Sequence, residues 1–210
     1  MAERRHPAER VPPGAPLAEM RDRAADCRAC DLWRHATQTV FGAGAAHALV
    51  MLVGEQPGDQ EDLAGKPFVG PAGRVLEEAL VAAGLDPARV YLTNAVKHFK
   101  WIPRGKRRRH AKPRLSEVLA CRPWLGLELA KVRPRVIVCL GTTAARAVLG
   151  RPAVIGKLRG QPLATENGTV FVTSHPSAIL RAPDAASRER GRAQLVADLA
   201  QAAKAAATKA

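Results

Sequence analysis

Four short runs, apolar almost without interruption, constrain this chain more than anything else in it: ALVMLVG at 48–54, VYLTNAV at 90–96, RVIVCLG at 135–141 and TVFVTS at 169–174. A strand with one wet face alternates apolar with polar residues, whereas a continuous run is covered on both faces, as in a parallel sheet. Helical patterns lie between the runs: 73–83 ending on Gly84, 115–132 stopped before Pro134, and 142–149 closed by Gly150. Strands alternating with helices predict an α/β fold, a three-layer α/β/α sandwich around a central, mostly parallel four-stranded sheet. Residues 1–16, Pro-rich and charged, read as a disordered lead-in, 17–205 as a single domain and 206–210 as a frayed tail.

Charge narrows the partners. Thirty-three Lys and Arg against nineteen Asp and Glu leave a net +14, which argues for a polyanion, and nucleic acid first, because phosphate contacts dominate such affinity. No amphipathic helix with bulky anchors, no run of transmembrane length and no apolar leader is evident, so the expectation is a cytoplasmic, nucleoid-associated protein that binds no membrane. Four cysteines in that compartment read as metal ligands or core rather than disulfides.

In an open α/β sheet, ligands bind outside the carboxyl ends of the strands, and the polar residues that carry information sit there. The loop GEQPGDQEDLAGKPFVGPAG, 54–73, holds five glycines, four acids and Phe68, an aromatic placed to stack on a base. Asn94 ends a buried strand, where its amide either caps a turn or reads a pyrimidine edge. His175, in SHPS, is either a core histidine or a donor to a leaving group. Cys27 and Cys30 form a CxxC pair; Cys121 lies in a helix, His98 offers a fourth ligand, and Cys139 reads as core. Spacing alone leaves zinc and an iron–sulfur cluster both open. Residues 97–114 carry nine Lys/Arg and no acid, interleaved with Phe99 and Trp101. This pattern reads as a solvated loop or a single-strand binder that stacks and neutralises phosphate, and its cations favour a neutral, nucleophilic His110.

Taken together, GEQPGDQEDLAGKPFVGPAG, TNAVKHFK, ACRPWL, VIVCLGTTAA and HPSAIL resemble the uracil-DNA glycosylase superfamily in its iron–sulfur family 4 pattern, most closely its UdgX branch. The resemblance spans about Cys27 to Leu199, and KRRRH at 106–110 departs from the branch's Lys-Arg-Arg-Ile-His only at Arg109. It implies a [4Fe-4S] cluster on Cys27, Cys30, His98 and Cys121, with zinc as the alternative. It also implies a uracil pocket built from Gly54, Glu55, Gln56, Asp59, Phe68, Asn94 and Ser177, with His175 stabilising the uracil anion and Ile179 and Leu180 wedging the flipped nucleotide. The implied activity is excision of uracil from DNA, single-stranded by preference, with release of free uracil. His110 then captures C1′ covalently in a single turnover, Glu55 and Gln56 orienting or deprotonating it while Arg107 and Arg108 hold the loop and phosphates. The protein is expected to act as a monomer. A conventional turnover family 4 glycosylase and a non-catalytic metal-bearing DNA-binding module are the alternatives.

Overall fold

The computed structural model describes residues 6–105 and 107–208; Lys106, residues 1–5 and residues 209–210 lie outside it. A 3₁₀ turn, Pro7–Arg10, leads into helix α1, Leu17–Ala25. After a second such turn, Asp31–Arg34, come strands β1 (Ala43–Gly44) and β2 (Val50–Gly54), helices α2 (Asp59–Ala64) and α3 (Pro71–Ala82), and strand β3 (Tyr91–Asn94). A hairpin of β4 (Trp101–Arg104) and β5 (Arg107–His110) precedes α4 (Leu115–Val132), β6 (Val136–Leu140) and α5 (Thr142–Leu149). The chain closes with α6 (Ile155–Leu158), β7 (Leu163–Thr165), β8 (Gly168–Thr173), α7 (Pro176–Leu180) and the long α8 (Ala185–Ala207).

The four apolar runs become β3, β2, β6 and β8, which lie side by side and parallel. Two short antiparallel strands, β1 and β7, extend the sheet to six in the order β1-β3-β2-β6-β8-β7. Alternate residues of each central strand face opposite ways, and both faces are covered. Met51, Val53, Ile137, Cys139 and Val172 pack towards α1, α4 and α5, while Val50, Leu52, Val138, Leu140 and Phe171 pack towards α3, α7 and α8. From β2 the chain moves to β3 on one side and then returns to β6 on the other. This reversal opens a crevice beyond the carboxyl ends of β2 and β6, where α/β sheets bind ligands.

Of the lead-in, residues 1–5 lie outside the described residues, and from His6 onward it packs against the body. His6 Nε2 lies 2.9 Å from the Ala120 carbonyl, and Ala8, Val11 and Ala15 are buried against the α1–α4 face. Small side chains between prolines fill this seam although the segment's mean hydropathy is low. The tail likewise continues as helix to Ala207, because Ala202 and Ala206 are buried against the sheet.

Candidate functional site

The crevice holds a cavity of ≈ 580 Å³, the size of a small-ligand site, lined by residues that follow β2, β3, β6 and β8. Gly54 ends β2, and a Cβ there would collide with Asn94 Oδ1 and the Phe68 ring, so glycine lets both side chains close in. Phe68 adopts φ = 57°, a left-handed backbone that costs a non-glycine residue. Its loop is braced by Glu61, whose carboxylate accepts from Gly58 N–H at 3.0 Å and Gly70 N–H at 2.7 Å. Asn94 is buried and lines the cavity, and among the described residues nothing hydrogen-bonds to its side-chain amide, which leaves donor and acceptor for a ligand.

His175 stacks towards Phe68 with ring centroids 6.2 Å apart. Its Nδ1 accepts from Ser177 N–H at 3.1 Å and lies 2.8 Å from Ser177 Oγ. A ring whose Nδ1 accepts carries its proton on Nε2, so the neutral imidazole keeps one N–H donor for the cavity. Burial, reinforced by Arg181 and His110, pushes its pKa down to about 4, so neutral is the form present at pH 7.

The basic run 97–114 is not an open loop but a hairpin, folded over the cavity's rim. Trp101 pairs with His110 and Arg104 with Arg107, the turn passing through Gly105 at φ = 57°. Gln56 pins its base: Nε2 donates to the carbonyls of Lys100 (3.0 Å) and Ala111 (3.1 Å), while Oε1 takes Lys100 N–H. Arg108 pins its body, with Nε 2.6 Å from Asp59 Oδ1, Nη1 2.6 Å from the buried Asp62 Oδ2, and the guanidinium stacked on Phe99 and Trp101. Trp101 Nε1 donates to the His35 carbonyl at 2.8 Å. So held, His110 brings Nε2 to 3.4 Å from Glu55 Oε1 with 49 % of its side chain exposed. Glu55 Oε2 in turn accepts from Thr143 Oγ1 at the start of α5. Burial lowers the His110 pKa and Arg181 adds to this, against the opposing pull of Glu55; the ring is therefore neutral at pH 7, carrying a lone pair.

Cys27, Cys30 and Cys121 lie near one another on the α1–α4 side, and His98 follows Lys97, whose N–H reaches Cys121 Sγ. Cys27 and Cys121 are buried, and each sulfur receives an N–H at 3.2 Å, from Trp124 Nε1 and Lys97 N respectively. Burial pushes Cys121 up to about 12, with Cys27 and Cys30 near enough to add their charge, so a bound metal would have to draw the protons off. Thr39 Oγ1 donates to the Ala24 carbonyl and so accepts from His98 Nε2 at 2.9 Å, which leaves His98 Nδ1 with its lone pair. Among the described residues no three Cys, His, Asp or Glu side chains converge on a point that would hold one ion. The donor set of three sulfurs and an imidazole is chemically of the kind that holds zinc or an iron–sulfur cluster, with Cys27, Cys121 and His98 buried and Cys30 half-buried.

Residues 41–200 match the Uracil DNA glycosylase superfamily. The chain belongs to that superfamily. It is 37 % identical to the type-4 uracil-DNA glycosylase of Pyrobaculum aerophilum over 175 residues, 80 % of this chain and 86 % of that protein. It is 38 % identical to the type-4 enzymes of Archaeoglobus fulgidus (75 % of this chain, 79 % of that protein) and Thermotoga maritima (76 % and 81 %).

Within this superfamily frame several expected roles shift. Asp59 does not line the cavity, because its carboxylate is engaged by Arg108. Arg108 is correspondingly committed to Asp59 and Asp62 rather than to phosphate, while Arg107 is exposed at the hairpin's turn. Gln56 is buried with its amide spent on the hairpin's base, so it neither orients nor deprotonates His110 directly. Ile179 is 4 % exposed and packs beside Gly191 in the α3–α8 core, out of reach of a base stack, whereas Leu180 is 43 % exposed. Phe99 is buried under the hairpin and offers no face to a base. Reading the sequence missed Thr143, which holds Glu55, and Arg181 and Lys112, which line the cavity. Arg181 directly follows HPSAIL, and its charge one residue past a proposed wedge was the available signal.

Proposed function

We propose that this protein excises uracil from DNA and captures the resulting abasic sugar on His110, as the UdgX branch does. The observation that carries the reading is the neutral His110 ring held 3.4 Å from Glu55 at the mouth of the Asn94–Phe68–His175 cavity. A base extruded from the stack would lie on Phe68 with its edge at the Asn94 amide. As the N-glycosidic bond breaks, its electron pair passes to uracil N1, and the His175 Nε2–H stabilises the growing anion. The lone pair of one His110 ring nitrogen then forms the new bond to C1′, the Glu55 carboxylate offsets the positive charge that builds on the ring, and the proton on the other ring nitrogen is lost to solvent, leaving a neutral N-alkylimidazole. Uracil leaves, but the protein stays on the DNA, so each molecule turns over once.

Single-stranded uracil-containing DNA is the preferred substrate, since the base is already unpaired there, and a monomer suffices because every group named comes from one chain. Cys27, Cys30, His98 and Cys121 would hold a [4Fe-4S] cluster, whose contribution is to brace the wall beneath the hairpin. A visible absorbance band and an iron and sulfide content matching one cluster would support it; zinc alone would replace it.

Incubation with a uracil-containing oligonucleotide should yield a protein–DNA species that survives denaturing electrophoresis and is absent from His110→Ser. Free abasic product from the unaltered protein would instead favour a conventional turnover glycosylase, the reading supported by its similarity to the type-4 uracil-DNA glycosylases. Binding that is steeply salt-dependent but blind to uracil would leave only a DNA-binding module.

A further inference from the structure

An ion pair, Lys97–Glu128, lies beneath the site. The two side chains are 1 % and 0 % exposed. Burying such a pair costs several kcal/mol per ion before their attraction returns any of it, and apolar residues of like volume often stabilise a fold as well. Its worth therefore lies in what it holds.

The ammonium has three N–H groups, and all are used: one on Glu128 Oε2, one on Thr93 Oγ1 at 2.6 Å and one on the Asn94 carbonyl at 2.9 Å. Glu128 is equally committed, accepting from Gly42 N–H at 2.9 Å, Tyr91 O–H at 3.1 Å and Thr93 Oγ1 at 2.9 Å. The Asn94 carbonyl belongs to the peptide that leaves β3, and the next two N–H groups, of Ala95 and Val96, bond to Gly54 O and Glu55 O at 2.9 and 3.0 Å. With carbonyl and amides all fixed, the Asn94 backbone has one orientation, which fixes the Cα–Cβ direction from which its unpartnered amide enters the cavity. The same residue touches Cys121, since Lys97 N–H is the donor to Cys121 Sγ.

We propose that Lys97, backed by Glu128, is a positioning residue for base recognition, a buried strut that aims Asn94 and ties the base-reading end of β3 to α4 through Glu128 and Cys121. The proposal rests on the uracil reading given above and names the residues that give the pocket its precision. A fully satisfied polar network orients its members more narrowly than apolar packing of the same volume does.

The test replaces the pair with neutral near-isosteres, Lys97→Met together with Glu128→Gln, so that no lone charge is left in the core. A second variant, Thr93→Val, keeps both charges and removes only the hydroxyl shared between them. Three quantities are read: affinity for free uracil, single-turnover excision, and affinity for an oligonucleotide carrying a base-free abasic analogue. The strut predicts that uracil affinity and excision fall about tenfold or more, the scale of a misaimed hydrogen-bond pair, while base-free DNA binds within about twofold of the unaltered protein. Thr93→Val should fall between the two. A folded double variant with unaltered uracil affinity overturns the proposal, and so does an equal loss on base-free DNA, which would mark the pair as a general brace. Whether the unaltered protein binds and excises uracil tests the underlying reading, so the two failures are distinguishable.

Discussion

At the scale of single residues, the proposed capture requires His110 to attack with its ring neutral. Because burial holds its pKa below the ordinary 6.5, the neutral form dominates at pH 7 and is lost only as pH falls through the lowered value. Adduct formation should thus be flat from neutral pH upward and decline below pH 6.5, measured as the crosslinking rate at fixed ionic strength. The adjacent pair Ile179 and Leu180 separates packing from contact. Ile179→Ala should cost about 2–5 kcal/mol in denaturant unfolding, as core truncations do. Leu180→Ala should stay within about 0.5 kcal/mol and instead slow excision from duplex DNA. That Asn94 and His175 line the cavity was legible because each sits at or just past a strand end, and that Phe68 does was legible because it lies in the glycine-rich segment between β2 and α3. Gln56 was not: its partners, Lys100 and Ala111, lie 44 and 55 residues away, and no periodicity reports a pairing of that range.

Among the elements, the hairpin carries His110, the nucleophile of the proposed capture, and Arg108 fastens it. Its bonds to Asp59 and Asp62 are absent from the pocket itself, so Arg108→Ala should loosen His110 while leaving Phe68, Asn94 and His175 in place. Excision should persist and capture should slow by about tenfold or more, the loss of two charge-assisted bonds. Denaturing gels would read this as a rising ratio of free abasic product to adduct. The central strands and the helices α3, α4 and α5 were legible to within a few residues, since continuous apolar runs and 3.6-residue periods are local signals. The hairpin was not, because β4 and β5 stand off the sheet with no buried face and so lack an alternating pattern. The edge strands β1 and β7, two and three residues long, are too short to carry any period.

For the molecule as a whole, burying His175 makes stability depend on pH. The unfolded chain protonates it near 6.5 and the folded one at about 4, so between these values the unfolded state binds the extra proton. Stability is complete above 6.5 and falls as pH drops towards 4, by about 3 kcal/mol from this group. The difference between the unaltered protein and His175→Gln, followed by urea unfolding across that range, isolates the effect. Layering was legible from composition along the chain, but the reversal of strand order that opens the crevice was not, since adjacency in space leaves no mark on local sequence. The hairpin leaves the body at Lys100 and returns at Ala111, two residues joined by a backbone hydrogen bond of 2.9 Å and bridged by one glutamine. Because entry and exit coincide, the segment is a cassette. Deleting it and closing the gap would keep the base pocket and restore a recycling enzyme, while transplanting it with Gln56 and its acidic anchors would turn a recycling relative into a trap.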